Sequence, residues 1–388
     1  MKIAAVTAEF DPLHNGHLHL LSEIRKNIHP DILLVILGGD FTQRGKLALS
    51  DKYTRAKHAL SAGADLVLEL PQIFACACAE RFADAAVKLL SSINADERYI
   101  CFGSESGNIT EIENAARILN NEPESMADEM RALLDMGCSY PVARAQAFLH
   151  YAEDHKTIIA DPTKPNNILA IEYVRSALRR GGVISYTVRR AGDYHADELD
   201  ATAPSASAIR RAVENGSPAE TYKDAVPSYV ACDLSTAEKG CLSPLLLYRL
   251  LTMSAEGLKR INDVSEGIEN RILRLAKESK NAEELIRNVS TKRYTEARIS
   301  RILTCALLGI TKQLFESEID SAPYYKVLAV KRGRTDILSV LNRTGKVLTG
   351  ETEAKESGIA AAEIDAKAHE IFAIAKESPD IESGMLLL

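Results

Sequence analysis

The stretch from Ile3 to Leu20 constrains this chain most. Ile3-Ala4-Ala5-Val6 is a short apolar run without charge, as expected of a strand buried on both faces of a parallel sheet. Phe10-Asp11-Pro12 interrupts it, His14-Asn15-Gly16-His17 follows, and Leu18, Leu20, Leu21 and Ile24 then recur at helical spacing. Strand, turn and helix start therefore fall within a few residues of one another. A helix start offers unpaired N–H groups and the positive end of a dipole, which suits phosphate. Gly16 lets a flat ring or a phosphate approach the backbone. Two imidazoles three residues apart can donate to oxygens that gain charge when a phosphoryl centre is attacked.

The first half of the chain continues the alternation. Strands are expected at 31–39, 64–70, 98–103 and 183–190, and helices at 51–62, 82–93 and 168–179. Such alternation predicts an α/β fold with a parallel sheet and helices on both faces, and ligands in such sheets lie at the carboxyl ends of the strands. Residues from about 106 to 160 read as an inserted helical segment. The pattern ends near Gly216-Ser217-Pro218, so a catalytic domain over 1–220 and a mainly α-helical C-terminal domain over 221–388 are expected. Helices are expected at 244–253, 268–278, 282–289, 294–308 and 360–376, and strand-like pieces at 324–330 and 336–341. No apolar run approaches 20 residues, and the N-terminal apolar core is too short for a signal peptide, so a cytoplasmic protein without membrane attachment is expected. The seven cysteines include one close pair, Cys76 and Cys78, and are expected to be small buried residues rather than metal ligands.

Several further segments can carry chemistry. Gly38 to Gly45 leaves the second strand with Asp40, Gln43 and Arg44, and is expected to form a substrate loop at the mouth of the sheet. Gly103 ends the fourth strand, where a missing side chain permits close approach of a base or ribose. In Lys164-Pro-Asn-Asn, Asn166 or Asn167 falls at a helix start. Arg189 and Arg190 lie at the carboxyl end of the last strand of this half, a level that suits phosphate charge. Ser205-Ala-Ser-Ala-Ile-Arg210 places two hydroxyls at a helix start and a guanidinium one turn further on, a second arrangement suited to phosphate.

The strand–HNGH–helix context resembles the HIGH-motif nucleotidyltransferase superfamily. The ordered set AEFDPLHNGH, GGDFTQRG, KPNNILAIEY, VISYTVRR, SASAIR and KRYTEARISRIL resembles the bacterial tRNA(Met) cytidine acetate ligase family over nearly the whole chain. That resemblance implies a Rossmann-like catalytic domain. It implies activation of acetate by ATP as acetyl-adenylate with release of pyrophosphate, then acetylation of N4 of the wobble cytidine of elongator tRNA(Met). Carried onto this sequence, it implies an ATP loop of Thr7, Ala8, Glu9, Phe10, Asp11, Pro12, Leu13, His14, Asn15, Gly16, His17, Leu18, His19 and Leu20, with His14 and His17 at the phosphates. Gly103, Asn167, Arg189 and Arg190 are further implied nucleotide contacts. Ser205, Ser207 and Arg210 join them through their own motif. The departures are Phe10 and Asp11 where Tyr and Asn are usual, Leu13 where Phe is common, and Asp40 where Asn is usual. Mg²⁺ is expected to arrive on ATP oxygens and water rather than in a protein cage.

Net charge is −7, which as a sum speaks against nucleic acid, but its distribution is uneven. Residues 271–346 hold sixteen Lys/Arg against eight Asp/Glu, whereas 347–388 hold three against nine. Within the basic block, Lys292, Arg293, Tyr294, Arg298 and Arg301 are the best candidates for tRNA contact, with Tyr294 free to stack on a base. Two other readings remain at this point: a small-molecule adenylyltransferase of cofactor synthesis, and a non-catalytic RNA-binding protein on the same fold.

Overall fold

The apolar runs form strands β1 (Lys2–Ala8), β2 (Ile32–Gly38), β3 (Leu66–Leu70), β4 (Glu97–Ser104) and β5 (Ile184–Arg189). They pair in parallel in the order β5-β4-β1-β2-β3. The computed structural model describes residues 1–190, 205–237, 239–265, 267–378 and 382–388. Alternation along β1 feeds two cores: Ile3 and Ala5 join one, Ala4 and Val6 the other. Every residue of β2 is buried. At about 1.5–3 kcal/mol for each large aliphatic side chain removed from water, these central strands fix the register of the sheet.

Helices α1 (Asn15–Ile28), α2 (Lys52–Ser61), α3 (Gln72–Ala75), α4 (Ala79–Ser92), α5 (Ile109–Asn120), α6 (Glu124–Asp135), α7 (Tyr140–Asp154), α8 (Pro165–Arg180) and α9 (Ala206–Glu214) complete the first half. Local chemistry sets their starts. Asp51 caps α2 by accepting from Tyr53 N and Thr54 N at 2.8 and 2.9 Å. Helix α8 begins at Pro165, three residues before the expected start, because a proline at the first helical position has no N–H to leave unpaired.

Beyond residue 220 the chain is mostly helical from Ser228 to Ile319, then returns to the sheet. Strand β6 (Tyr324–Val330) runs antiparallel beside β3, with Leu66 opposite Val330. β7 (Lys346–Leu348) and β8 (Leu386–Leu387) pair with the two halves of β6. One apolar core joins Ile3 of β1 to Leu303 of the 296–308 helix, so the change of character near residue 220 falls within continuous packing. Asp336–Leu341, read as strand-like, is a helix. Its short apolar run has no two-residue alternation, and length alone does not separate helix from strand there. Among the cysteines, Cys78, Cys232 and Cys241 are exposed rather than buried.

The return of the chain closes a buried ionic ring. Lys52 Nζ lies 2.9 Å from Glu69 Oε2 and 2.9 Å from Glu351 Oε1. Lys326 Nζ lies 2.5 Å from Glu351 Oε2 and 3.4 Å from Glu69 Oε2. Both lysines are almost wholly excluded from solvent. Burial pulls the Lys52 pKa down, but Glu69, Glu351 and Asp40 outweigh it and hold the ammonium well above its usual value. Asp40, expected to face substrate, instead belongs to this buried system. It accepts from Lys52 N at 2.7 Å, and its Oδ2 lies 2.7 Å from His369 Nδ1. The other His369 ring nitrogen lies 2.9 Å from the Glu382 carbonyl oxygen. With both nitrogens facing acceptors, this ring is an imidazolium. Burial lowers its pKa, yet Asp40 wins and raises it above 6.5. Asp40 is correspondingly held below 3.8: burial pushes it up, while His369, Lys52 and Arg55 pull it down further. A raised imidazolium contributes stability that is complete below the unfolded pKa and lost as pH rises through the folded one. The expected result is a melting temperature that declines on the alkaline side of pH 6.5, with the decline abolished in His369→Gln.

Candidate active site

Strand β1 delivers the His motif to the carboxyl edge of the sheet. Phe10 turns the chain with φ +45° and is buried against the His17 ring at a centroid distance of 4.9 Å. A left-handed bulky residue costs on the order of 1–3 kcal/mol, which the packing around it offsets. His14 caps α1. Its Nδ1 accepts from Gly16 N at 3.1 Å, and His17 Nδ1 accepts from His14 N at 3.2 Å. Gly16 is required because the His14 ring covers it: a Cβ there would sit 3.0 Å from the ring. The two imidazoles stack with centroids 3.7 Å apart and planes 24° from parallel.

The protonation of these rings follows from the same contacts. An Nδ1 that accepts a backbone N–H leaves the ring proton on Nε2, so each imidazole is a neutral donor. Burial, then the charges of Arg190 and Arg210, bring His14 down to about 3. Burial, then His14 and Arg190, hold His17 well below the usual imidazole range.

Above the rings lies a cavity of about 830 Å³. Of the implied ATP loop, Thr7, Ala8, Glu9, Phe10, Asp11, His14, Asn15, Gly16, His17, His19 and Leu20 line it. Pro12, Leu13 and Leu18 do not line it; Leu13 is fully buried in the core under the turn. Among the described residues, Arg44, Lys46, Arg189, Arg190, Arg210 and Arg211 bring positive charge to the wall, against Glu9, Asp11 and Glu214. That balance fits a polyanion. Gly103 lines the cavity, and it also makes room for Arg190, whose Cγ would lie 3.0 Å from a Cβ there. Arg190 Nη1 donates to Asn166 Oδ1 at 2.9 Å.

Asn167 lies behind the wall. Its Oδ1 accepts from Glu105 N and Ser106 N, and its Nδ2 donates to Asp161 O, so its polar atoms brace the turn after β4. Asn166, Leu169, Ala170 and Tyr173 line the cavity instead. Their spacing of i, i+3, i+4 and i+7 is one helical stripe, a signal present in the sequence. With Phe82 and Phe102 they make an apolar wall, which sequence reasoning missed because those residues come from different elements.

At α9, Ser205 caps the helix by accepting from Ala208 N. Arg210 donates to Asp11 O at 2.6 Å and to Ser207 Oγ at 3.1 Å. The two phosphate-type motifs, 199 residues apart between Asp11 and Arg210, therefore meet in one cavity. Gln43 and Arg44 also line it. Gln43 N donates to Glu9 Oε1 at 2.5 Å. Gly45, with φ +68°, sits against the 296–308 helix, and its carbonyl accepts from Ser300 Oγ and Thr304 Oγ1, each at 2.9 Å.

Just before that helix Tyr294 is buried, its hydroxyl donating to Ser265 O at 2.7 Å. It cannot stack on a base as expected, because its ring closes the base of the helix under the Arg298 guanidinium, 4.6 Å away. Arg298 pairs with Asp263 at 3.0 Å and Arg301 with the same carboxylate at 3.9 Å. Lys292 and Arg293 are exposed beside them. Among the described residues, no helix is long and apolar enough to cross a membrane.

A neutral histidine pair on a strand–turn–helix at the carboxyl edge of a parallel sheet, under a cationic cavity, defines a nucleotidyltransferase of the HIGH type. The family model described as HIGH Nucleotidyl Transferase matches residues 1–384. The tRNA(Met) cytidine acetate ligase of Clostridium novyi is 36% identical over 367 residues, covering 92% of this chain and 88% of the relative. That of Clostridium perfringens is 34% identical over 400 residues, covering 100% and 98%. Crystal structures of Thermotoga maritima TmcAL superpose over both full chains with a TM-score of 0.88: the apo form at 26% identity, and the form bound with alpha-thio ATP at 27%. This chain belongs to the tRNA(Met) cytidine acetate ligase family, within the HIGH nucleotidyl transferases, and is a ligase.

Proposed function

We propose that this enzyme activates acetate with ATP as acetyl-adenylate and transfers the acetyl group to N4 of the wobble cytidine of elongator tRNA(Met). The observation that carries this reading is the stacked His14–His17 pair, with both Nδ1 atoms engaged by backbone N–H groups beneath a cation-lined cavity. The Thermotoga neighbour with alpha-thio ATP and the names of the curated relatives support it.

In the first step an acetate oxygen bonds to the ATP α-phosphorus, and the bond from that phosphorus to the bridging oxygen breaks. The electron pair leaves with pyrophosphate. Two Nε2–H donors and the guanidiniums of Arg189, Arg190 and Arg210 would meet the charge that spreads over the phosphoryl oxygens. Because the imidazoles are neutral, they donate without transferring a proton. Magnesium enters as part of the nucleotide substrate and lowers its charge. In the second step the cytidine amine attacks the acyl carbon and AMP departs. Arg44, Lys46 and Gln43 hold the cavity rim nearest the 296–308 helix, which suits entry of an RNA strand from that side.

The reading is tested by pyrophosphate release from ATP, with acetate alone and with acetate plus tRNA. Acetate-dependent exchange of pyrophosphate into ATP, followed by acetylated cytidine in tRNA(Met), is expected. Release that needs a nucleotide or pantetheine-like acceptor in place of acetate would favour a cofactor adenylyltransferase, and no release would favour a non-catalytic binder. For the RNA contact, Lys292 and Arg293 are proposed to lie on phosphates, with Arg298 and Arg301 held behind them by Asp263. The double variant Lys292→Ala/Arg293→Ala is expected to weaken tRNA binding and to lower the slope of log affinity against log salt by about 2. An unchanged slope would remove these two side chains from the interface.

A further inference from the structure

We propose that Glu9 takes the proton from the cytidine amine during acetyl transfer. This rests on the acetyl-adenylate reading above and assigns a residue to its second step.

Glu9 is the first residue past β1 and lines the same cavity as His14 and His17. Its Oε1 accepts from Gln43 N at 2.5 Å. Among the described residues nothing else donates to this carboxylate, which leaves Oε2 able to accept from a group held in the cavity that Glu9 lines. The placement is unusual in electrostatic terms. A half-buried carboxylate in a cavity otherwise suited to polyanions opposes binding of the nucleotide, so a role in the chemistry accounts for it better than a role in affinity.

The other candidates are accounted for. His14 and His17 have no free lone pair on the ring, since Nδ1 accepts a backbone N–H and Nε2 carries the proton. Asp11 is buried, accepts from Leu49 N at 2.7 Å and lies 3.6 Å from Arg210. The Tyr173 hydroxyl is pushed far up by burial and stays protonated. Glu214 sits in the last turn of α9, exposed at the cavity edge. Burial raises the Glu9 pKa, against the opposing hydrogen bond from Gln43. A carboxylate so placed is a stronger base than a free one, as a proton acceptor should be.

The step balances. The N4–acyl bond forms, the bond from the acyl carbon to the phosphate oxygen breaks, and its electron pair leaves on AMP. The proton lost from nitrogen neutralises Glu9, and Glu9 returns it to water after product release.

The test uses full-length Glu9→Gln. Glutamine keeps an oxygen for Gln43 N–H, so the loop stays in place, but it cannot take a proton. Two half-reactions are read separately: acetate-dependent ATP–pyrophosphate exchange, and single-turnover transfer of labelled acetyl to a tRNA(Met) transcript between pH 5 and 9. Transfer is expected to fall about 10²–10⁴-fold further than exchange does. The parent's transfer rate should climb with pH through the raised Glu9 pKa, and the variant should lack that limb. Transfer at the parental rate with the parental pH profile would overturn the proposal. Equal loss of exchange and transfer would overturn it too, placing Glu9 in adenylation instead. Failure of the underlying reading is distinguishable, because the parent itself would then show no acetate-dependent exchange.

Discussion

His17→Ala is expected to lower acetate-dependent pyrophosphate exchange by about 10²–10³-fold, the loss typical of removing one preorganised donor from a site of developing charge. The ring supplies both an Nε2–H toward the cavity and an Nδ1 acceptor for His14 N. His17→Asn separates these roles, because an amide oxygen can still receive that N–H while the donor at the far ring nitrogen is gone. Both variants are expected to lose exchange, and both to keep tRNA affinity and the parental circular dichroism spectrum. The pH profile offers a second check. Since His14 titrates at about 3 and His17 well below 6.5, exchange should show no inflection near 6.5 on the acid side. An inflection there, or exchange that survives His17→Asn, would mean the imidazoles do not act as neutral donors.

The second large effect lies away from the chemistry. Lys52→Met is expected to destabilise the fold by about 3–5 kcal/mol, read as a lower denaturant midpoint with an unchanged slope. Methionine fills most of the space, so the loss reflects Glu69 and Glu351 left facing each other around Lys326. Adding Glu69→Gln is expected to restore part of the stability, because it removes the one carboxylate left in excess over Lys326. A single variant as stable as the parent would show that the ring is solvated. The same change reaches the turn before Gln43 and Arg44 indirectly, since Lys52 Nζ also lies 4.0 Å from Asp40 Oδ2.

The His motif was legible because its chemistry is local: strand, turn, cap and helix occupy adjacent residues, and the stacked rings follow from that spacing. The same holds for the α9 start at Ser205. The central parallel strands β1, β2 and β3 were legible from nearly uninterrupted apolar runs, as a sheet covered on both faces allows. What escaped reading was set by distance along the chain. Nothing near Asp40 announces that a histidine 329 residues later takes its charge, so a buried carboxylate looked like a substrate contact. Tyr294 sits in a basic segment, and composition there hid the half of it that faces the core. β6 was read as a strand, but its antiparallel place beside β3 depends on a tertiary return that periodicity does not encode. Asn166 and Asn167 differ by 100° around a helix, and only the surrounding turn decides which one reaches the cavity.

The ionic ring also bears on how this protein could be divided. Two of its four corners, Lys52 and Glu69, come from the first 70 residues, and the other two, Lys326 and Glu351, from the last 63. A fragment ending near residue 220 would strand one ammonium and one carboxylate beside an unpaired edge of β3, inviting self-association where β6 normally sits. Evolution of the C-terminal portion is tied in the same way. Exchanging it for another module would have to preserve two charges, Lys326 and Glu351, that sit in its interior.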